Sequence, residues 1–183
     1  MVEKVSLEIH SIIDSIVKDT WINDIRDDYK KDKLRREGSF QCSLYYHLRN
    51  KIGEQFLEEN KLCIYAEFGY LGKKVDLAIV QNKNGKIVPV ALFELKYKNS
   101  ANDSEFYKDV KKIISYIEQE PKAAKWKHYL CFIQEAEFEE MTSDFSWLND
   151  EQINLSRGRI VELTGGLYKP SEDNMGYWTI VEH

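Results

Sequence analysis

The sequence predicts an α/β sandwich built on a mixed β-sheet flanked by helices. Three observations carry that prediction. The first part of the chain repeats apolar residues at helical spacing; three strand-like apolar runs follow in close succession over 62–97; and an amphipathic stretch at 104–119 leads into a further apolar run at 128–134. Strands joined by short turns pair antiparallel, whereas a strand reached through a helix can lie parallel to its predecessor. Both kinds of connection are present.

In chain order, Val5, Ile12, Ile13, Ile16, Val17, Ile22 and Ile25 place a long or broken helix over 4–29. Gly38-Ser39 interrupts the pattern, with Ser39 able to cap a new helix. Leu44, Leu48, Ile52, Phe56 and Leu57 then share one side of a helix over 40–58. Strands are expected at 62–68, 74–80 and 87–97, and Asn84-Gly85 between the last two is a hairpin signal. Pro89 falls near the start of its strand, where a missing amide does least harm. The helix over 104–119 ends at Pro121. Beyond the strand at 128–134, the tail suggests a short strand at 159–163, a turn at Gly165-Gly166 and a strand at 177–181.

The 183 residues hold no repeat, low-complexity tract or Pro/Gly-rich linker, so one domain is expected. No apolar run approaches the roughly 20 residues of a membrane helix, and the N-terminus lacks the apolar core of a signal peptide. Cys42, Cys63 and Cys131 fit no zinc spacing and read as buried thiols of a cytoplasmic protein with no membrane partner. Net charge is −5, which argues against a nucleic-acid partner, but seven acids crowd into 135–151 and the remainder carries +2. Basic residues gather around Lys30–Arg36 and over 108–127; such clusters also occur as solvated helix faces. No glycine-rich turn follows a first strand, and no GxxxxGK loop is present, which excludes the common nucleotide-binding motifs.

The informative stretch is VALFELKYK at 90–98. Its apolar residues mark a strand covered on both faces, yet it carries Glu94 and Lys96. Charges in such a run cost several kcal/mol unless paired or used. Residues i and i+2 of a strand share a face, so Glu94 and Lys96 point the same way. Asp76 poses the same problem inside KVDLAIV. Counting back from Asn84-Gly85 sets it opposite residue 93, 94 or 95. Two neighbouring carboxylates need a cation or a shared proton, and oxygen ligands favour Mg²⁺ or Mn²⁺. The competing reading is a same-face ion pair at a solvated sheet edge, with Asp76 ending a strand.

Asp76 followed by Glu94-Leu95-Lys96 on the next strand resembles the PD-(D/E)xK nuclease superfamily, the restriction-endonuclease-like fold. That resemblance implies an αβββαβ core over 37–134, an N-terminal helical extension at 1–36 and a C-terminal elaboration at 135–183. It implies Asp76, Glu94 and the Leu95 carbonyl as metal ligands, with Lys96 acting on the attacking water. A Glu at the first core helix and one on the first strand fit many members; here these are Glu37, followed by Gln41 one turn later, and Glu67. Each also has a plain structural reading, Glu37 as a helix N-terminal acid and Glu67 as an exposed strand end. Val75 stands where the family name has Pro.

The expectation is therefore a metal-dependent nuclease that hydrolyses phosphodiester bonds, most readily of DNA, with Lys33, Arg35 and Arg36 near the phosphates. Lys112 and Asp109, on the helix after Lys96, would support the site or meet phosphates, or else pair with each other at i, i+3. The alternative is a catalytically inactive module of the same fold that binds nucleic acid or a protein partner, as a homodimer or as a subunit of a defence or repair assembly. A small-molecule hydrolase has no nucleophile motif behind it. The four histidines are dispersed in sequence and suggest no triad.

Overall fold

The computed structural model describes residues 7–122, 124–137, 145–168 and 177–183. Helix α1 (Leu7–Asp19) buries Ile9, Ile13 and Val17, and the chain continues through a π-helical turn, Thr20–Ile25, into α2 (Arg26–Lys30). The buried residues Ile9, Ile13, Val17, Trp21 and Ile25 recur every fourth position. A regular α-helix would swing such a stripe by about 40° at each step. The wider π turn offsets that drift and keeps Trp21 and Ile25 on the sheet side. The helix expected over 4–29 is thus one rod with a π insertion, and its first residues fall outside the described part.

Helix α3 (Glu37–Ile52) starts three residues earlier than a Ser39 cap suggested. Arg36 is the N-cap, and Ser39 lies inside the first turn. Its hydroxyl oxygen accepts from the amides of Arg35 and Arg36 at 3.0 and 3.2 Å, so it satisfies orphan donors from within the helix. The helix expected to run to 58 breaks at Gly53, which sits at φ +78°, and α4 (Glu54–Glu59) follows.

The strands β1 (Leu62–Tyr70), β2 (Lys73–Lys83), β3 (Lys86–Lys98), β4 (Lys127–Glu137), β5 (Ile160–Tyr168) and β6 (Tyr177–Glu182) form one sheet in sequence order. The first three make an antiparallel meander; β4 is parallel to β3 and to β5; β6 is antiparallel to β5. The mixed α/β architecture expected from the sequence is present. Asn84 and Gly85, both at positive φ, form the tight β2–β3 turn, a geometry that suits glycine because it has no Cβ. Helix α5 (Ser104–Gln119) supplies the crossover from β3 to β4, and a short α6 (Asp150–Ser156) precedes β5.

The sheet is covered on both faces. Helices α1–α4 pack on one side against Leu77, Phe93, Leu95, Tyr129 and Cys131. Helix α5 packs on the other against Leu92, Leu130 and Phe132. The N-terminal helices thus share the core rather than flank it. Trp21, Trp126 and Trp147 are buried, and Trp178 is half-buried. The cysteines are all free, but only Cys131 is fully buried; Cys42 is exposed, against expectation. Among the described residues no helix is long and apolar enough to cross a membrane.

Gly165-Gly166 does not turn the chain. Both residues lie inside β5, where the pairing with β6 shifts between Gly165 and Leu167. Gly165 is required by contact: a Cβ there would meet the Trp178 ring at 2.9 Å. That ring is wedged by Trp21, 4.5 Å away between centroids, and by Tyr29 at 5.6 Å, so it cannot step aside. Gly165→Ala is expected to destabilise the fold by about 1–3 kcal/mol in urea melts, through overpacking.

Candidate functional site

Pairing of Leu77 with Phe93 sets the register of β2 and β3, and the next step outward brings Asp76 level with Glu94. Glu94 and Lys96 alternate with Phe93 and Leu95, so they face α5 while the apolar residues face the other helices. Asp76 Oδ2 accepts from the Leu95 amide at 2.7 Å, and Gln41 Nε2 donates to the Asp76 carbonyl at 2.6 Å. These two bonds lock the start of β2 to β3 and to α3. The Leu95 amide thus serves Asp76, while the role the resemblance implied for Leu95 concerned its carbonyl.

Two lysines answer the acids. Lys96 Nζ lies 2.9 Å from Glu37 Oε2 on α3 and 3.3 Å from Asp109 Oδ2 on α5, and so ties the two helical layers together. Lys112 Nζ lies 2.7 Å from Glu94 Oε2. The expected i, i+3 pair of Asp109 with Lys112 does not form; each side chain reaches to the sheet instead. Glu94 is 1% exposed, and its second oxygen, Oε1, is buried without a hydrogen-bond partner.

Burial, and then the neighbouring Asp76, push the Glu94 carboxyl up to about 8. Burial also raises Asp76 and Asp109 above the usual carboxylate range. For Lys96, burial works toward the neutral amine, but Glu37 and Asp109 outweigh it and hold the ammonium well above its ordinary value. Fully ionised, Glu37, Asp76, Glu94 and Asp109 carry four negative charges against the two positive charges of Lys96 and Lys112. The shortfall equals the charge of one divalent cation.

Glu67 stands apart from these contacts. The β1–β2 register would bring it level with Asp76, but at φ +55° it drops out of the pairing, and its exposed carboxylate bonds Lys74 at 2.8 Å. Lys33 pairs with Asp28 at 2.6 Å, Arg35 bonds Asp32, and Arg36 is exposed at the start of α3. Two of the three basic residues expected near phosphates are thus engaged by acids of their own segment.

The histidines do not gather. His47 bonds Asp28 at 2.9 Å, a carboxylate that also accepts from Ser43. His183 meets Ser146 and Glu162, but both approach its Nε2, at 3.3 and 3.0 Å. A nucleophile relay needs the acid on the opposite ring nitrogen, so this trio is no catalytic triad. A groove of about 690 Å³ lined by Arg49, Glu54, Cys63 and Tyr65 runs along β1 and includes none of the acidic cluster.

The donors of the cluster suit a hard divalent ion: carboxylate oxygens, two of which, Glu94 Oε1 and Asp109 Oδ2, are buried without a hydrogen bond. Among the described residues, no three His, Cys, Asp or Glu stand close enough together to hold an ion as they lie. Asp76 and Glu94 are the adjacent pair from which such a site would be built. Sequence reasoning found both, along with Lys96 and Glu37. It did not find that Asp109 turns inward to Lys96, because the 3.6-residue period sets Asp109 beside Lys112 without saying which way either leans. No protein-family model, curated protein or solved structure matches the chain.

Proposed function

We propose that the chain is a divalent-metal-dependent nuclease acting on DNA, with a restriction-endonuclease-like core of helix, three-stranded meander, helix and strand. The observation that carries this reading is the meeting of Asp76 and Glu94 on adjacent strands, with Glu94 Oε1 buried and unanswered and Lys96 on the same face. Lys112 answers only Oε2, which leaves Oε1 as an open ligand position for a cation. Asp76, Glu94 and the Leu95 carbonyl would hold Mg²⁺ or Mn²⁺, and the ion would polarise a phosphate oxygen and acidify its water. Glu37 and Asp109 hold the Lys96 ammonium beside the cluster, where it would orient the attacking water and stabilise charge on the phosphate.

The test is cleavage of supercoiled plasmid, linear duplex and single-stranded DNA with Mg²⁺ or Mn²⁺, comparing wild type with Lys96→Ala. Metal-dependent cutting that falls by about 10²-fold or more in the variant is the expected result. Absence of cutting by folded wild type on all three substrates would overturn it.

One observation favours the second reading, an inactive module that binds nucleic acid or a protein partner. Lys96 and Lys112 already neutralise much of the cluster without any ion. That reading requires the melting temperature to be indifferent to millimolar Mg²⁺ or Mn²⁺, whereas a bound ion raises it.

A further inference from the structure

We propose that Lys112 is a placeholder cation: its ammonium occupies the Glu94 carboxylate in the metal-free protein and must leave before a divalent ion can bind there. The inference rests on the metal-centre reading of Asp76 and Glu94. It adds a residue of α5 that competes with the ion and so sets its affinity.

The geometry distinguishes the two lysines of the cluster. Lys96 is held between two carboxylates from opposite layers, Glu37 and Asp109, and its side chain is 16% exposed. Lys112 has one ion-pair partner among the described residues, Glu94 Oε2 at 2.7 Å, and its side chain is 24% exposed. Glu94 is fixed in the middle of β3 with its side chain 2% exposed. In that pair the acceptor cannot move and the donor can, because a four-carbon stem anchored on a helix surface can swing its ammonium into water.

A divalent ion on Glu94 would sit within a few ångströms of the present ammonium position. Like charges at that distance repel strongly in a site screened from water, so ion and ammonium exclude one another. The other oxygen, Oε1, has no partner to give up. Exchange therefore breaks one ion pair, Lys112 to Glu94, and leaves the Lys96 anchor intact. Once displaced, Lys112 stands on the solvent side of the site as a free cation for an anionic substrate.

Calorimetric titration of Mn²⁺ into wild type, Lys112→Met, Lys112→Arg and Glu94→Gln, at one mildly alkaline pH, tests this. Lys112→Met is expected to bind Mn²⁺ about tenfold tighter than wild type or better, since the competitor is gone. Lys112→Arg, whose planar fork grips a carboxylate harder, is expected to bind more weakly than wild type. Unchanged or weaker binding by folded Lys112→Met overturns the placeholder. If that variant does not fold, Lys112→Arg decides alone, and equal or tighter binding overturns it. Binding that is lost in Glu94→Gln but indifferent to Lys112 leaves the metal centre standing without the placeholder. No binding by wild type or Lys112→Met overturns both.

Discussion

Glu94→Gln is expected to remove metal-dependent cleavage by about 10³-fold or more, equivalent to about 4 kcal/mol of lost transition-state stabilisation, while leaving the fold at least as stable as wild type. The stability half follows from the environment. Glu94 is 1% exposed, has Asp76 as a like-charged neighbour and leaves one oxygen unpartnered. Glutamine keeps the shape and an acceptor for Lys112 but carries no charge. The sign with pH is definite. Burial and Asp76 raise the folded carboxyl to about 8 from an unfolded 4.5, so folding favours the protonated form. The stability that this proton contributes is complete below the unfolded value and is lost as pH rises toward 8. The advantage of Glu94→Gln over wild type should therefore grow between about pH 5 and about pH 9 in urea melts. A variant that melts several degrees below wild type throughout that range would make Glu94 a structural residue.

The centre of this site was legible because a strand with both faces covered makes any charge conspicuous. Glu94 and Lys96 stand out in an apolar run, and the Asn84-Gly85 turn counts Asp76 to the right level, since hairpin register follows from the turn. The parallel placement of β4 followed from its helical crossover in the same way. What stayed hidden depends on how layers approach one another. Nothing in local spacing tells that Glu37 reaches Lys96, or that Asp109 prefers Lys96 to its helical neighbour Lys112. Both outcomes are set by unpaired charge on the sheet, which pulls harder than a solvated i, i+3 partner. Glu67 was misleading for a backbone reason: alternation places it level with Asp76, but a positive φ takes it out of the strand pairing. Gly165-Gly166 resembled a turn because glycine pairs usually make one, whereas here the missing side chain admits the Trp178 ring.

Glu120→Ala is expected to cost about 3–5 kcal/mol of unfolding free energy, the largest stability loss predicted for a single side chain in this protein. Glu120 closes the C-terminal end of α5 with its side chain wholly buried, and it is everything Glu94 is not. It accepts from Tyr70 Oη at 2.8 Å, Trp126 Nε1 at 3.0 Å and His128 Nε2 at 2.9 Å, and it also bonds the Arg159 guanidinium. These donors come from β1, from the start of β4 and from the residue before β5, so one carboxylate ties three strands to α5. Burial alone would raise its carboxyl, but His128, Trp126 and Tyr70 overcome that and hold it at about 2. The folded value lies below the unfolded 4.5, so this stability is complete above about pH 4.5 and is lost as pH falls toward 2. Alanine would strand Arg159 as a buried, unpaired charge. Urea melts of Glu120→Ala, Arg159→Met and the double variant test this. The double variant should recover part of the loss, since neither charge is then left alone. A cost below about 1 kcal/mol for Glu120→Ala would sink the account. Two buried glutamates thus make opposite predictions. The one saturated with donors supports the fold and tolerates no change. The one left short of donors strains the fold, and a protein retains such a group where chemistry uses it.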